Sequence, residues 1–198
     1  MKNKKNIACL FGSFNPIHIG HLDLAKLTIN TLDYIDEVWF IISPQNPFKS
    51  NSDLVDENLR REMVSMMIMG DDKRFKVCDI EFSLPKPSYT YNTISELHKD
   101  YPDYIFHLII GSDALNEIDR WENHEEVIQL PIIGVTRNDV DIIDRIKTII
   151  KNLTIIKSEK NISSTFIRDE IKNGNIDRLG LNKKVEDFIK HNNLYNYK

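Results

Sequence analysis

Cysteine is almost missing from these 198 residues: Cys9 and Cys78 are the only two, both inside apolar runs. So few exclude a disulfide framework, and no residues around them have metal-ligand spacing, so two buried thiols are expected. Long hydrophobic runs are missing as well. None approaches the roughly 20 residues that a bilayer-spanning helix needs, and no apolar N-terminal stretch has the basic and small-residue flanks of a secretory leader. The expectation is a cytoplasmic protein with no membrane contact. Basic surplus is absent too, with 26 Lys+Arg against 30 Asp+Glu and a net charge of −4. The longest basic run, Lys2-Asn3-Lys4-Lys5, reads as a solvated tail. This charge balance argues against a nucleic-acid-coating surface but leaves room for local cations around an anionic ligand. There is no internal repeat and no low-complexity linker. What is present, 41% hydrophobic and 28% charged residues, suits a chain that buries a core. One domain over residues 1–198 is the simplest expectation, and a homo-oligomer is compatible with it.

Strand and helix patterns alternate along the chain. Strands are predicted at residues 7–11, 37–42, 75–80, 104–110, 131–136 and 153–156. Helices are predicted at 20–32, 58–69, 90–99, 140–151, 164–172 and 183–191, with shorter helical segments near 113–118 and 122–130. Residues 43–56 and 83–88 each carry two prolines and read as loops. Apolar strands separated by helices pair in parallel, with helices on both faces. The fold class is therefore α/β: a doubly wound, mainly parallel, Rossmann-like sheet with the last two helices packed on it. Ligands bind such sheets beyond the carboxyl ends of the strands, where strand order reverses.

The decapeptide Gly12 to His21, GSFNPIHIGH, follows the first strand directly. His18 and His21 are three apart where the first helix begins, which puts them on one face. Free backbone N–H groups and the positive end of the helix dipole lie at the same place. Imidazoles with free N–H groups at a strand–helix junction make a site for phosphate. Near the other end of the chain, Asn161 to Arg168 read NISSTFIR. Ser163, Ser164 and Thr165 open a helix, where they cap N–H groups or join them in holding phosphate, and Arg168 adds a forked cation one turn later. Each string alone is also compatible with an ordinary helix start.

Together the two strings resemble the paired signatures of the nucleotidyltransferase superfamily that uses an H/T-x-G-H motif and an I-S-S-T-x-x-R motif. Further strings narrow the resemblance to the bacterial nicotinate-nucleotide adenylyltransferases. Ser43 to Lys49, SPQNPFK, resembles the P-x-x-P-H-K loop. Ser88-Tyr89-Thr90 with Thr93 matches S-Y-T-x-x-T. Gly111-Ser112-Asp113 with Leu115 and Trp121 matches G-x-D-x-L followed by tryptophan, and Arg137 stands where the family has Arg-Pro-Gly. The chain departs from the pattern at Phe48, at Leu84-Pro85-Lys86, at Asn138-Asp139 and at Asn182, mostly on the acceptor side.

The resemblance implies joining of a mononucleotide phosphate to the α-phosphorus of ATP with release of pyrophosphate, which in this family makes the deamido dinucleotide of NAD biosynthesis. The nucleophile is already an anion, so catalysis reduces to positioning and charge stabilisation. By the resemblance, His18 and His21 contact the ATP phosphates, and Lys49 and Arg168 neutralise charge. Gly12, Ser13, Phe14, Gly111, Asp113, Ile162, Ser163, Ser164 and Thr165 complete the ATP side. Asn15, Lys49, Ser88, Tyr89, Thr90, Trp121 and Arg137 receive the pyridine mononucleotide. Mg2+ is expected to arrive with ATP, with no ligands from protein side chains. Other acceptors stay open, nicotinamide mononucleotide or phosphopantetheine, as does a degenerate nucleotide-binding module without catalysis. A synthetase fragment is disfavoured by length and charge. Trp39 and the Met63, Met66, Met67, Met69 cluster are assigned to packing. His98, His107, His124 and His191 are expected to be structural or solvated.

Overall fold

Six strands alternate with helices in the order the apolar periodicity predicts. The computed structural model describes residues 4–48, 53–137, 140–159, 162–177 and 179–197, with the side chain of Arg137 excepted. The strands are β1 (Lys5–Gly12), β2 (Glu37–Ile42), β3 (Phe75–Cys78), β4 (Tyr104–Gly111), β5 (Ile132–Arg137) and β6 (Leu153–Ser158). The helices are α1 (Ile19–Thr31), α2 (Glu57–Ile68), α3 (Thr90–Asp100), α4 (Ser112–Leu115), α5 (His124–Val127), α6 (Asp144–Ile149), α7 (Ser164–Lys172) and α8 (Lys183–His191). Every strand pairing is parallel, and the sheet order is β3-β2-β1-β4-β5-β6. The chain therefore leaves β1 toward one edge and returns at β4 toward the other. That reversal opens a crevice between the carboxyl ends of β1 and β4.

Side chains that alternate along a strand point to opposite faces of a sheet. Here both faces are buried, which explains the unbroken apolar runs. Ala8, Leu10, Val38, Phe40, Ile42, Ile109, Ile133 and Val135 pack against Leu22, Ala25 and Ile29 of α1, Met63, Val64 and Met67 of α2, and the apolar stripes of α7 and α8. On the other face, Ile7, Cys9, Trp39, Ile41, Phe106, Leu108 and Ile132 pack against Ile94 and Leu97 of α3, Leu115, Val127 and Ile146. Trp39 is in the core as expected, its indole N–H donating to Glu37 at 2.8 Å. Of the methionine cluster, Met63 and Met67 are buried and Met69 faces solvent. His107 is buried and bonds Asn6 at 2.9 Å. Cys9 is fully buried and Cys78 partly so. Burial pushes the Cys9 thiol well above its usual range and the Cys78 thiol to about 11, so both are poor nucleophiles.

Several expected elements differ in extent, the helical segments near 113–118 and 122–130 contracting to α4 and α5. The third strand stops at Cys78, where pairing with β2 ends, and Ile80–Ser83 wind into a 3-10 turn that buries Glu81. The helix expected at 140–151 begins only at Asp144. Asn116, just after α4, donates its amide to the Asp141 carbonyl at 2.9 Å and accepts from the Ile143 N–H at 3.0 Å. Those backbone groups are thereby withdrawn from a helical turn.

Candidate active site

His18 is the N-cap residue of α1, with extended backbone at φ −147° and ψ 171°. Its N–H donates to Nδ1 of His21 at 3.3 Å. The two rings stack with centroids 3.8 Å apart, and the Phe14 ring meets His21 edge-on at 5.0 Å. Because Nδ1 of His21 accepts, the ring proton is assigned to Nε2, a donor suited to an oxyanion. The glycine between the histidines has a steric reason. A Cβ at Gly20 would stand 3.0 Å from Nδ1 of His18, so the buried ring would have to give by a few tenths of an ångström.

Gly12 has a steric reason too. A Cβ there would stand 2.8 Å from the Phe14 ring. Phe14 sits at φ 45°, which turns its ring back over Gly12, and is 2% exposed. The glycine thus makes room for Phe14 as well as lining the crevice. Gly12→Ala is expected to displace Phe14 and cost ~1–3 kcal/mol as an overpacked site. Chemical denaturation checks this, and an unchanged midpoint would refute the steric account.

The two signature strings converge on one stretch of chain. Ser164 Oγ donates to the Pro16 carbonyl at 2.9 Å, and a guanidinium nitrogen of Arg168 donates to the Asn15 carbonyl at 2.9 Å. The Ile19 N–H donates to the Gly180 carbonyl at 2.6 Å, so the segment before α8 also closes on the mouth of α1. The hydroxyls divide their work. Ser163 N-caps α7, accepting from Phe166 at 3.2 Å, and Thr165 accepts from Arg168 at 3.4 Å. Both hydroxyls act as acceptors in these bonds and keep their proton available to donate. Ser164 spends its proton on Pro16 and acts by holding the two helix mouths together. Ile162 packs its side chain against the core.

Of the residues expected on the acceptor side, Ser88, Tyr89, Thr90 and Trp121 line a cleft of about 330 Å³ between the carboxyl ends of β1, β2 and β4. Phe11, Gly12, Ser43, Pro47, Phe48, Ser88, Tyr89, Thr90, Gly111 and Trp121 are among its walls. Trp121 is half-buried, with one side packed on the core. Asp113 is exposed in the first turn of α4, and Gly111, not Asp113, is the N-cap residue. The Asn15 side chain is buried and committed within the protein, donating to the Asp53 carbonyl at 2.9 Å and accepting from the Val55 N–H at 3.2 Å. It braces the segment before α2 rather than walling the cleft. Lys49 lies outside the described residues, as do Asn138 and Asp139. Arg137 ends β5, and its side chain is likewise outside them. Two departures from the family pattern have visible uses. Lys86 pairs with Glu57 at 2.7 Å. Asn182 N-caps α8 through Val185 and donates to the Met66 carbonyl, both at 2.9 Å.

Sequence reasoning missed Arg60 and Glu81. Arg60, 1% exposed, donates to the carbonyls of Val55, Ser13, Ser43 and Pro44. It clamps the loops after β1 and β2 to the start of α2. Burial draws its pKa down from the usual arginine value, yet guanidinium stays charged in proteins. A signal existed: Arg60 lies on the same 60, 63, 64, 67 stripe as the buried residues of α2. Glu81 gave no such signal, because the prolines around it break any periodicity.

A parallel sheet reversing at β1 and β4, paired imidazoles at one helix mouth and a hydroxyl-and-arginine helix mouth facing them define a Rossmann-like nucleotidyltransferase. The cytidylyltransferase-like family matches residues 9–170. The chain is 40% identical over 190 residues to the probable nicotinate-nucleotide adenylyltransferase of Cytophaga hutchinsonii, covering 96% of this chain and 97% of that one. It is 42% identical over 192 residues to its counterpart in Flavobacterium psychrophilum, at 96% and 98% coverage. Among solved structures, Plasmodium falciparum nicotinic acid mononucleotide adenylyltransferase complexed with NaAD aligns with a TM-score of 0.85 at 26% identity, over 98% of each chain. The chain belongs to the nicotinate-nucleotide adenylyltransferases, within the cytidylyltransferase-like family.

Proposed function

We propose that this protein transfers the adenylyl group of ATP to nicotinic acid mononucleotide, giving deamido-NAD and pyrophosphate. The observation that carries the reading is the docking of the Ser163–Arg168 segment on residues 15–16, just ahead of the His18–His21 pair, through two 2.9 Å bonds from α7. A phosphate oxygen of the acceptor attacks the α-phosphorus, and the bond to the bridging oxygen of pyrophosphate breaks. Negative charge grows on that leaving group, so preorganised donors and cations lower the barrier. His21 Nε2–H faces the α-phosphate, and His18 holds the His21 ring by stacking. Ser163, Thr165 and Arg168 hold the β- and γ-phosphates. Ser13, Phe14 and Gly111 meet the nucleotide through backbone, and Asp113 accepts from ribose hydroxyls at the cleft rim.

On the acceptor side, Trp121 stacks on the pyridine ring and Thr90 offers its N–H to the ring carboxylate. Ser88 and Tyr89 shape that wall, and Lys49 and Arg137 meet the acceptor phosphate. The donor set of the crevice, imidazoles, hydroxyls and N–H groups, suits a Mg2+ carried by the triphosphate, since Mg2+ prefers phosphate and water oxygens over a dedicated protein cage. When bound, the ion neutralises phosphate charge. The reading treats residues 1–198 as one catalytic unit working in the cytoplasm, with no nucleic-acid partner.

Steady-state kinetics with ATP and each acceptor tests the reading. The acid mononucleotide is expected to give a kcat/KM at least about tenfold above the amide. A preference for the amide would refute the acceptor and keep the reaction class. Turnover with neither would refute the class.

A further inference from the structure

We propose that Glu81 is the positioning residue of the acceptor wall, its carboxyl tying the segment after β2 to the first turn of α3. This rests on the reading that the cleft receives the acceptor nucleotide.

Glu81 is 2% exposed and lines the cleft. A buried carboxyl is costly unless it is paired or hydrogen-bonded. Among the described residues no lysine or arginine pairs with it. One hydroxyl donates to it and two more, from two other segments, lie beside it. Thr93 Oγ1, in α3, donates to Oε1 at 2.7 Å. The hydroxyls of Ser88, before α3, and Ser43, after β2, lie beside the same carboxyl group. Oε2 and the Ser88 hydroxyl are nonetheless both buried without a completed hydrogen bond. Burial pushes the carboxyl above its ordinary value, opposed by the three hydroxyls.

The backbone shows what this arrangement controls. Ser88 N–H donates to the Gln45 carbonyl at 2.8 Å, and Thr93 N–H to that of Tyr89 at 3.2 Å. Ser88, Tyr89 and Thr90 are therefore suspended between the post-β2 segment and α3, with Glu81 at the junction beneath them. The first N–H groups of α3 have no intrahelical partner. Their aim into the cleft depends on how the helix start is seated. A carboxyl placed there serves geometry: it fixes the wall from below, and the open Oε2–Ser88 pair lets the wall settle when the acceptor enters.

Steady-state kinetics on full-length Glu81→Ala and Glu81→Gln, each substrate varied at saturating co-substrate, test the proposal. Glu81→Ala is expected to raise the acceptor KM about tenfold or more, with the ATP KM within about twofold. Glu81→Gln keeps an acceptor oxygen for Thr93 and is expected to restore the acceptor KM to within about threefold of wild type. Should Glu81→Ala fail to fold, Thr93→Val removes the 2.7 Å donor and is expected to raise the same KM selectively. An unshifted acceptor KM, both KM values rising together, or a glutamine variant as impaired as alanine would each overturn it. Wild-type protein without turnover on the acid mononucleotide would instead overturn the functional reading itself.

Discussion

Replacing His21 with alanine is expected to lower turnover at least about a hundredfold, a loss of about 2.7 kcal/mol of transition-state stabilisation. The size follows from what the ring does. Nδ1 accepts from the His18 N–H at 3.3 Å, which assigns the ring proton to Nε2, and the His18 ring stacks on it at 3.8 Å. Single donors preorganised toward developing charge are worth this much in other enzymes. The fold is expected to survive, because His21 is only partly buried and water can replace one bond to a helix N-cap. Turnover and far-ultraviolet circular dichroism, measured on the same preparation, check both halves. Equal, low turnover in wild type and variant would point to a nucleotide-binding module without catalysis.

The largest stability effect is expected at Arg60. Arg60→Met keeps the aliphatic stem and removes the guanidinium, leaving four carbonyl acceptors without their donor. A buried polar group left unpaired costs ~1–3 kcal/mol, and water entering from the cleft satisfies some of the four. The net loss is expected at ~3–5 kcal/mol, a large part of the ~5–15 kcal/mol that holds a typical domain together. Because the clamp joins Ser13, beside the ATP crevice, to Ser43 and Pro44 on the acceptor side, both KM values are expected to rise together. Arg60→Lys, with a single ammonium in place of the fork, is expected to fall between. Urea unfolding measures the effect, and a loss below about 1 kcal/mol would mean that the four bonds add little net stability.

These two variants also separate what pattern reveals from what it hides. His21 was legible because its spacing from His18 and the glycine between them follow a strand directly. The steric reason for that glycine was not legible, since it needs the position of the His18 ring. Arg60 sat on a periodic stripe yet reads from sequence as one more charge on an amphipathic helix. Only its four carbonyl partners, 5 to 47 residues away, show why a cation is buried there. Asn15 shows the converse: its place inside the decapeptide is legible, but not that its side-chain amide bonds Asp53 and Val55.

The order of elements, the parallel sheet and the two buried faces were determined by the sequence alone. Apolar periodicity reports burial face by face, and residue spacing reports which side chains share a helix end. Partnership was decided only by the tertiary structure. Arg168 reaches Asn15 across 153 positions and Ser164 reaches Pro16 across 148, and Thr93 meets Glu81 beyond a proline-broken turn. Hydrogen bonds are short-ranged and directional, so a polar side chain's role is set by the atom facing it in space, which no local pattern encodes.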